Sequence, residues 1–130
     1  MTTGESVLLD TNVVIDFFRG DAIVADKLLS HKIFLPSIVL GELYYGATLS
    51  SNRDLRFEQI SLFANQCGIM AIDDITALHY GEMKAELKRK GTPIPENDIW
   101  IAALSKQHSL ILATRDTHFK YTHSANVQFW

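Results

Sequence analysis

Val7-Leu8-Leu9-Asp10-Thr11-Asn12-Val13 is the stretch on which the fold turns. Val7-Leu8-Leu9 is apolar without alternation, the pattern of a short strand covered on both faces. The run stops at an acid. Asp10, Thr11 and Asn12 are all good N-cap residues, so the spacing predicts a helix over Val13 to Arg19 that ends at Gly20.

The same alternation continues outward. Residues 21–30 suggest a second helix, and Ile33-Phe34-Leu35 a second buried strand stopped by Pro36. Ser37 is a plausible cap for a helix through Ala47. Residues 53–67 have helical spacing, with Leu55, Ile60, Leu62 and Phe63 apolar. Ile69 to Ile72 reads as a third strand. Residues 74–90 read as a helix closed by Gly91 and Pro93. Pro95-Glu96-Asn97-Asp98 opens a further helix through Gln107. Leu110 to Ala113 is a fourth strand and Val127 to Phe129 a fifth. Continuously apolar strands alternating with helices mark an α/β sandwich with a mostly parallel central sheet. Such folds gather ligands outside the carboxyl ends of their strands. Asp10 directly follows the first strand, and Asp116 lies just past the fourth.

Composition sets the outer bounds. The chain has 130 residues, 47% hydrophobic and 21% charged, as expected of one globular domain spanning residues 1–130. No apolar run approaches the ~20 residues needed to cross a bilayer. The start, Met-Thr-Thr-Gly-Glu, lacks the basic and apolar stretches of a secretory leader. Cys67 is the only cysteine, so no internal disulfide is possible. A cytoplasmic location is expected. Net charge is −3 with a pI near 5.9, which on its face argues against a nucleic-acid partner. That argument fails if several acids share one cation-neutralised site. Setting four acids aside turns −3 into +1.

Four acids stand out, each with an ordinary alternative. Asp10 and Asp116 can be cap or turn residues. Asp98 sits in a first helical turn, where the helix dipole favours an acid. Glu42 is the only charged residue between Ser37 and Ala47, and its helical neighbours include Ile38, Val39 and Tyr45. A lone carboxylate there is costly to bury unless paired or metal-bound. Asp98 has similar company in Ile101 and Ala102. If both helices pack near the carboxyl edge of the sheet, the four acids converge. Clustered carboxylates repel unless protons or cations are shared. All-oxygen ligands suit Mg²⁺ or Mn²⁺. The histidines show no close HxH or HxxxH spacing, and one cysteine makes no thiolate cluster, so zinc is disfavoured. A carboxylate nest holding one or two divalent ions is a known solution for phosphodiester hydrolysis.

Leu8-Leu9-Asp10-Thr11-Asn12-Val13, Gly41-Glu42-Leu43-Tyr44-Tyr45-Gly46-Ala47, Asn97-Asp98-Ile99-Trp100-Ile101-Ala102-Ala103 and Ala113-Thr114-Arg115-Asp116-Thr117-His118-Phe119 together resemble the PIN-domain family, and within it the VapC-type toxins. Any one segment is weak. Four in the family's order, each with its acid, are specific. The resemblance implies a PIN-like α/β/α sandwich whose catalytic, metal-binding acids are Asp10, Glu42, Asp98 and Asp116, supported by Asn12 and Thr114. It further implies a Mg²⁺- or Mn²⁺-dependent endoribonuclease that inhibits translation. Such a toxin is usually a homodimer held inactive by a small DNA-binding, VapB-like antitoxin.

Lys84, Lys88 and Arg89, with Lys90, form a basic helix end. It complements the helix dipole, or else tracks RNA phosphates together with Arg115, Lys120 and His123. Phe17, Phe18, Tyr44, Tyr45 and Trp100 are core by default, and some could line a groove for an antitoxin segment. Two other acid-bearing α/β designs fit poorly. A haloacid-dehalogenase-like phosphatase needs an Asp where Asn12 stands. A receiver-like domain carries its acceptor Asp after the third strand. A PIN fold that only binds is disfavoured by the intact acid set.

Overall fold

Glu5–Leu9 forms β1, and Val7, Leu8 and Leu9 within it are completely buried. Removing each from water contributes about 1.5–3 kcal/mol, which anchors the strand at the centre of the sheet. The computed structural model describes residues 4–130; the first three residues of the start read above lie outside the described residues. After β1 come α1 (Thr11–Phe18), α2 (Ala22–Leu29), β2 (His31–Pro36), α3 (Ser37–Leu49), α4 (Arg53–Ala64), β3 (Gly68–Met70), α5 (Asp74–Arg89), α6 (Glu96–His108), β4 (Ile111–Thr114), a 3-10 turn (Thr117–Tyr121) and β5 (Val127–Phe129).

The five strands form one sheet in the order β3-β2-β1-β4-β5. Every pairing is parallel, so the expected α/β fold with a parallel central sheet is the one observed. Leu8 pairs with Phe34 on one side of β1 and with Leu112 on the other. From β1 the chain steps outward through β2 to β3, then crosses back to β4 and β5. With right-handed crossovers, that reversal places α1–α4 on one face and α5–α6 on the other. It also makes the gap between the carboxyl ends of β1 and β4 a topological switch point, where such folds keep their ligands.

The helix starts follow local chemistry. Asp10 and Asp21 cap α1 and α2 with side-chain acceptors, and Asp73 forms a capping box with Thr76 at α5. The structure corrects several expected boundaries. Pro36, not Ser37, occupies the cap position of α3; its fixed φ of −64° suits that site, and Ser37 is already helical. Helix α1 begins at Thr11 because Asp10 itself is the cap. Helix α4 stops at Ala64, whose carbonyl accepts from Cys67 N–H in a closing turn. Strand β3 runs over 68–70, not 69–72, because only those residues pair with β2. The 3-10 turn after β4 has no apolar periodicity and was not expected from sequence.

Candidate active site

Four carboxylates meet at the switch point. Asp10 follows β1, and its amide donates to Ala113 O of β4 at 3.0 Å. The residue is 5% exposed. Its Oδ1 accepts from Thr11 N–H at 2.8 Å, which caps α1, and its Oδ2 accepts from the Thr114 hydroxyl at 2.7 Å. Thr114 is fully buried at the end of β4. Its oxygen also accepts the Asp116 N–H at 2.9 Å. One hydroxyl therefore fixes two acids.

Asp116 caps the 3-10 turn, with Oδ1 accepting from His118 N–H at 2.9 Å. The His118 ring lies over the same acid, its Nδ1 2.9 Å from Asp116 Oδ1 and 3.8 Å from Asp98 Oδ2. Asp98 stands in the first turn of α6, where the dipole favours its charge. Its Oδ2 is buried and accepts no hydrogen bond. Asp98, Asp116 and His118 each offer one ligand atom within 4.8 Å of the others. Glu42, half-buried on α3, lies close enough to Asp10 to feel its charge.

The electrostatics report crowding. Burial, then the charges of Asp10 and Asp116, push the Asp98 carboxyl up to about 7; His118 pulls the other way and Glu42 adds to the rise. Burial also raises Asp10, against the lowering effect of its bonds from Thr114 and Thr11. Glu42 is raised by burial and by Asp10, moderated by Thr11 and Asn97. A buried carboxylate oxygen with no donor, facing three other acids, is costly as an anion. A cation shared among them removes that cost, and carboxylate oxygens suit Mg²⁺ or Mn²⁺. The residues present fit such an ion.

The supporting positions are now specific. Asn12 Oδ1 accepts Arg115 N–H at 3.3 Å, which ties the loop after β4 to α1. Arg115 is held within the protein: Nε donates to Trp130 O at 2.8 Å, and Nη1 donates to Asp16 at 2.9 Å and to Asp21 at 2.6 Å. Lys84 pairs with Glu96, which also accepts from the Tyr80 hydroxyl. Lys84 and Lys88 border one groove, whereas Arg89 borders another beside Lys106, so the basic helix end is split between two surfaces. Phe17, Phe18 and Phe63 cluster with ring centroids 5.3 to 6.0 Å apart. Trp100 stacks on Tyr80, while Tyr45 is exposed. Sequence reasoning missed His118 as a neighbour of the acids, because its partners are 20 residues away or across a turn. The one available signal was its place two residues after Asp116, within reach of the same loop.

A family profile for the PIN domain matches residues 7–123. Ribonuclease VapC2 of Haemophilus influenzae is 35% identical over 115 residues, covering 84% of this chain and 85% of that protein. Toxin FitB of Neisseria gonorrhoeae is 36% identical over 124 residues, covering 85% and 88%. Among solved structures, VapBC2 of Rickettsia felis bound to a DNA fragment from its promoter has a TM-score of 0.89 at 25% identity, covering 96% of this chain and 98% of that chain.

Proposed function

The chain belongs to the PIN-domain family, and on that premise we propose that it is a divalent-cation-dependent endoribonuclease, the toxin of a toxin–antitoxin pair, acting in the cytoplasm. Relatives named as a ribonuclease and as a toxin support the reaction and its role. The solved toxin–antitoxin neighbour on promoter DNA supports a DNA-binding antitoxin as partner. The substrate is RNA, the outcome is inhibited translation, and the working unit is a homodimer. Among the described residues, no helix is long and apolar enough to cross a membrane.

The observation that carries the reading is the orphaned Asp98 Oδ2, buried amid Asp10, Glu42 and Asp116. These four acids would hold the ion, which is Mg²⁺ or Mn²⁺ by the chemistry of the donors. A bound divalent cation supplies Lewis-acid stabilisation of the charge that grows on the phosphate oxygens and makes water a better acid. The chain's own residues do the positioning. Thr114 and the Thr11 amide hold both Asp10 oxygens in place. The Thr114 oxygen and the Asn12 side chain hold the amides of Asp116 and Arg115. The His118 ring closes on Asp116, its Nδ1 2.9 Å from Oδ1. This rigidity means little reorganisation is needed as the reaction proceeds.

The test is cleavage of a labelled single-stranded RNA by purified protein. Cutting is expected with Mg²⁺ or Mn²⁺, and is expected to fall to background with EDTA or in Asp98→Asn. Undiminished cutting in EDTA, or in both Asp10→Asn and Asp98→Asn, would refute the reading.

A further inference from the structure

Next to Glu42 the surface sinks into a cavity of about 270 Å³ between α1, α3 and α4. Phe18, Leu43 and Ile60 make its apolar floor, and Arg19, Arg56 and Gln59 stand on its rim. Resting on the ribonuclease reading above, we infer that this cavity is a nucleotide subsite. It takes one base flanking the scissile phosphate, while Arg19 and Arg56 hold the adjoining phosphates.

Three observations carry the inference. First, Glu42 belongs both to the acid cluster and to the cavity wall, so a strand laid across the acids runs directly into it. Second, the two arginines are available. Among the described residues neither joins an ion pair; the single bond from Arg56 is a long one of 3.5 Å to Gln59 Oε1. By contrast, Arg115, Lys84 and Lys90 are all committed to carboxylates. Unpaired guanidinium groups beside a cluster of acids suit a polyanion that bridges cation and arginines. An acidic peptide would present its charge one side chain at a time and has no flat face for the apolar floor. A base does, and single-stranded RNA is commonly read by packing unstacked bases on apolar or aromatic side chains.

Third, α3 keeps a glycine at this wall. Gly46 lies inside the helix, one turn after Glu42, where glycine is among the least favourable residues. A Cβ built there meets no heavy atom within 4 Å, so packing does not exclude a side chain. The wall beside Gly46 therefore stays open, which leaves room for a ligand in the cavity.

The test measures RNA affinity by fluorescence polarisation on the Asp98→Asn background, so that the probe is not cut. The probe is a labelled single-stranded RNA titrated over a salt series. Arg19→Gln/Arg56→Gln is expected to weaken binding about tenfold and to reduce the slope of log K against log salt by about 1.4, from about 0.7 per lost single-strand phosphate contact. Gly46→Leu puts a side chain on the cavity wall, at a position where an added Cβ meets no heavy atom within 4 Å; it should weaken RNA binding while Tm holds or rises, a combination that a merely structural glycine would not give. Affinity and salt slope equal to the parent in both variants would overturn the subsite. So would binding of a polyglutamate peptide that these variants abolish while RNA affinity stays unchanged. Wild-type protein that cuts no RNA with Mg²⁺ or Mn²⁺ overturns the ribonuclease reading as well, which separates the two failures.

Discussion

The Thr114 hydroxyl donates to Asp10 Oδ2 across 2.7 Å, joining residues 104 positions apart at the carboxyl ends of neighbouring strands. Because the same oxygen accepts the Asp116 amide, Thr114→Val strands the buried Asp10 carboxylate and the part-buried Asp116 amide at once without changing side-chain volume much. It should cost about 1–3 kcal/mol in urea unfolding. It should also slow RNA cleavage about 10–100-fold, as for groups that orient metal ligands. Thr114→Ser should restore most of both.

Asp98 makes the metal-free protein sensitive to pH. Its folded pKa of about 7 lies above the ordinary aspartate value of 3.8, so between those values the folded state holds a proton that the unfolded state has released. Stability from this group is therefore fully present below the unfolded pKa and is lost as pH rises towards 7. In EDTA, wild type should lose on the order of a few kcal/mol between pH 5 and 8 relative to Asp98→Asn, read from paired urea melts.

Arg115 should behave as a clamp on the loop after β4. It bridges Asp16, Asp21 and Trp130 O, and its hydrogen bond holds the Asp21 carboxyl below the ordinary carboxylate range. Arg115→Ala should lower Tm at neutral pH and reduce the cleavage rate more than RNA affinity. A lowered folded pKa gives stability that is present above the unfolded pKa and lost as pH falls through the folded value. The Tm gap between variant and wild type should therefore narrow in strong acid, as thermal melts over a pH series would reveal.

His118 adds a nitrogen to an otherwise oxygen-rich cluster, with Asp98 and Asp116 ligand atoms within 4.8 Å of it. Imidazole favours transition metals over Mg²⁺. His118→Asn should narrow the preference for Mn²⁺ over Mg²⁺ in calorimetric titrations, while Mg²⁺ affinity changes little. An unchanged Mn²⁺-to-Mg²⁺ ratio would place the ring outside the ion's reach.

Much of this geometry can be read along the chain, for identifiable reasons. A buried parallel strand must be apolar throughout, so Val7-Leu8-Leu9 announces itself, and the acid that ends it falls at the sheet's carboxyl edge. Glu42 stands out because a lone charge in an apolar helix needs a reason. The spacing cannot reveal partners brought together by folding. Asp16 and Arg115 are 99 residues apart and Thr76 and Gln107 are 31 apart, yet each pair is hydrogen-bonded. His118 meets Asp98 only because the 3-10 turn folds under α6, and that turn carries no periodic signal. The basic run at 84–90 looks continuous in sequence, but helical rotation sends Lys88 and Arg89 to different grooves.

If the four acids hold a divalent cation, Asp98 is one of its ligands and not merely a helix cap. The measurement is the rise in Tm caused by Mn²⁺ in wild type and in Asp98→Asn. A ligand that binds only the folded state adds about 2.7 kcal/mol at a hundredfold excess over Kd. Wild type should show a large rise. The variant, having lost a ligand, should show a much smaller one, even though it melts as high as wild type or higher in EDTA. A cap would be served equally well by Asn, so equal Mn²⁺-induced rises in the two proteins would contradict the account.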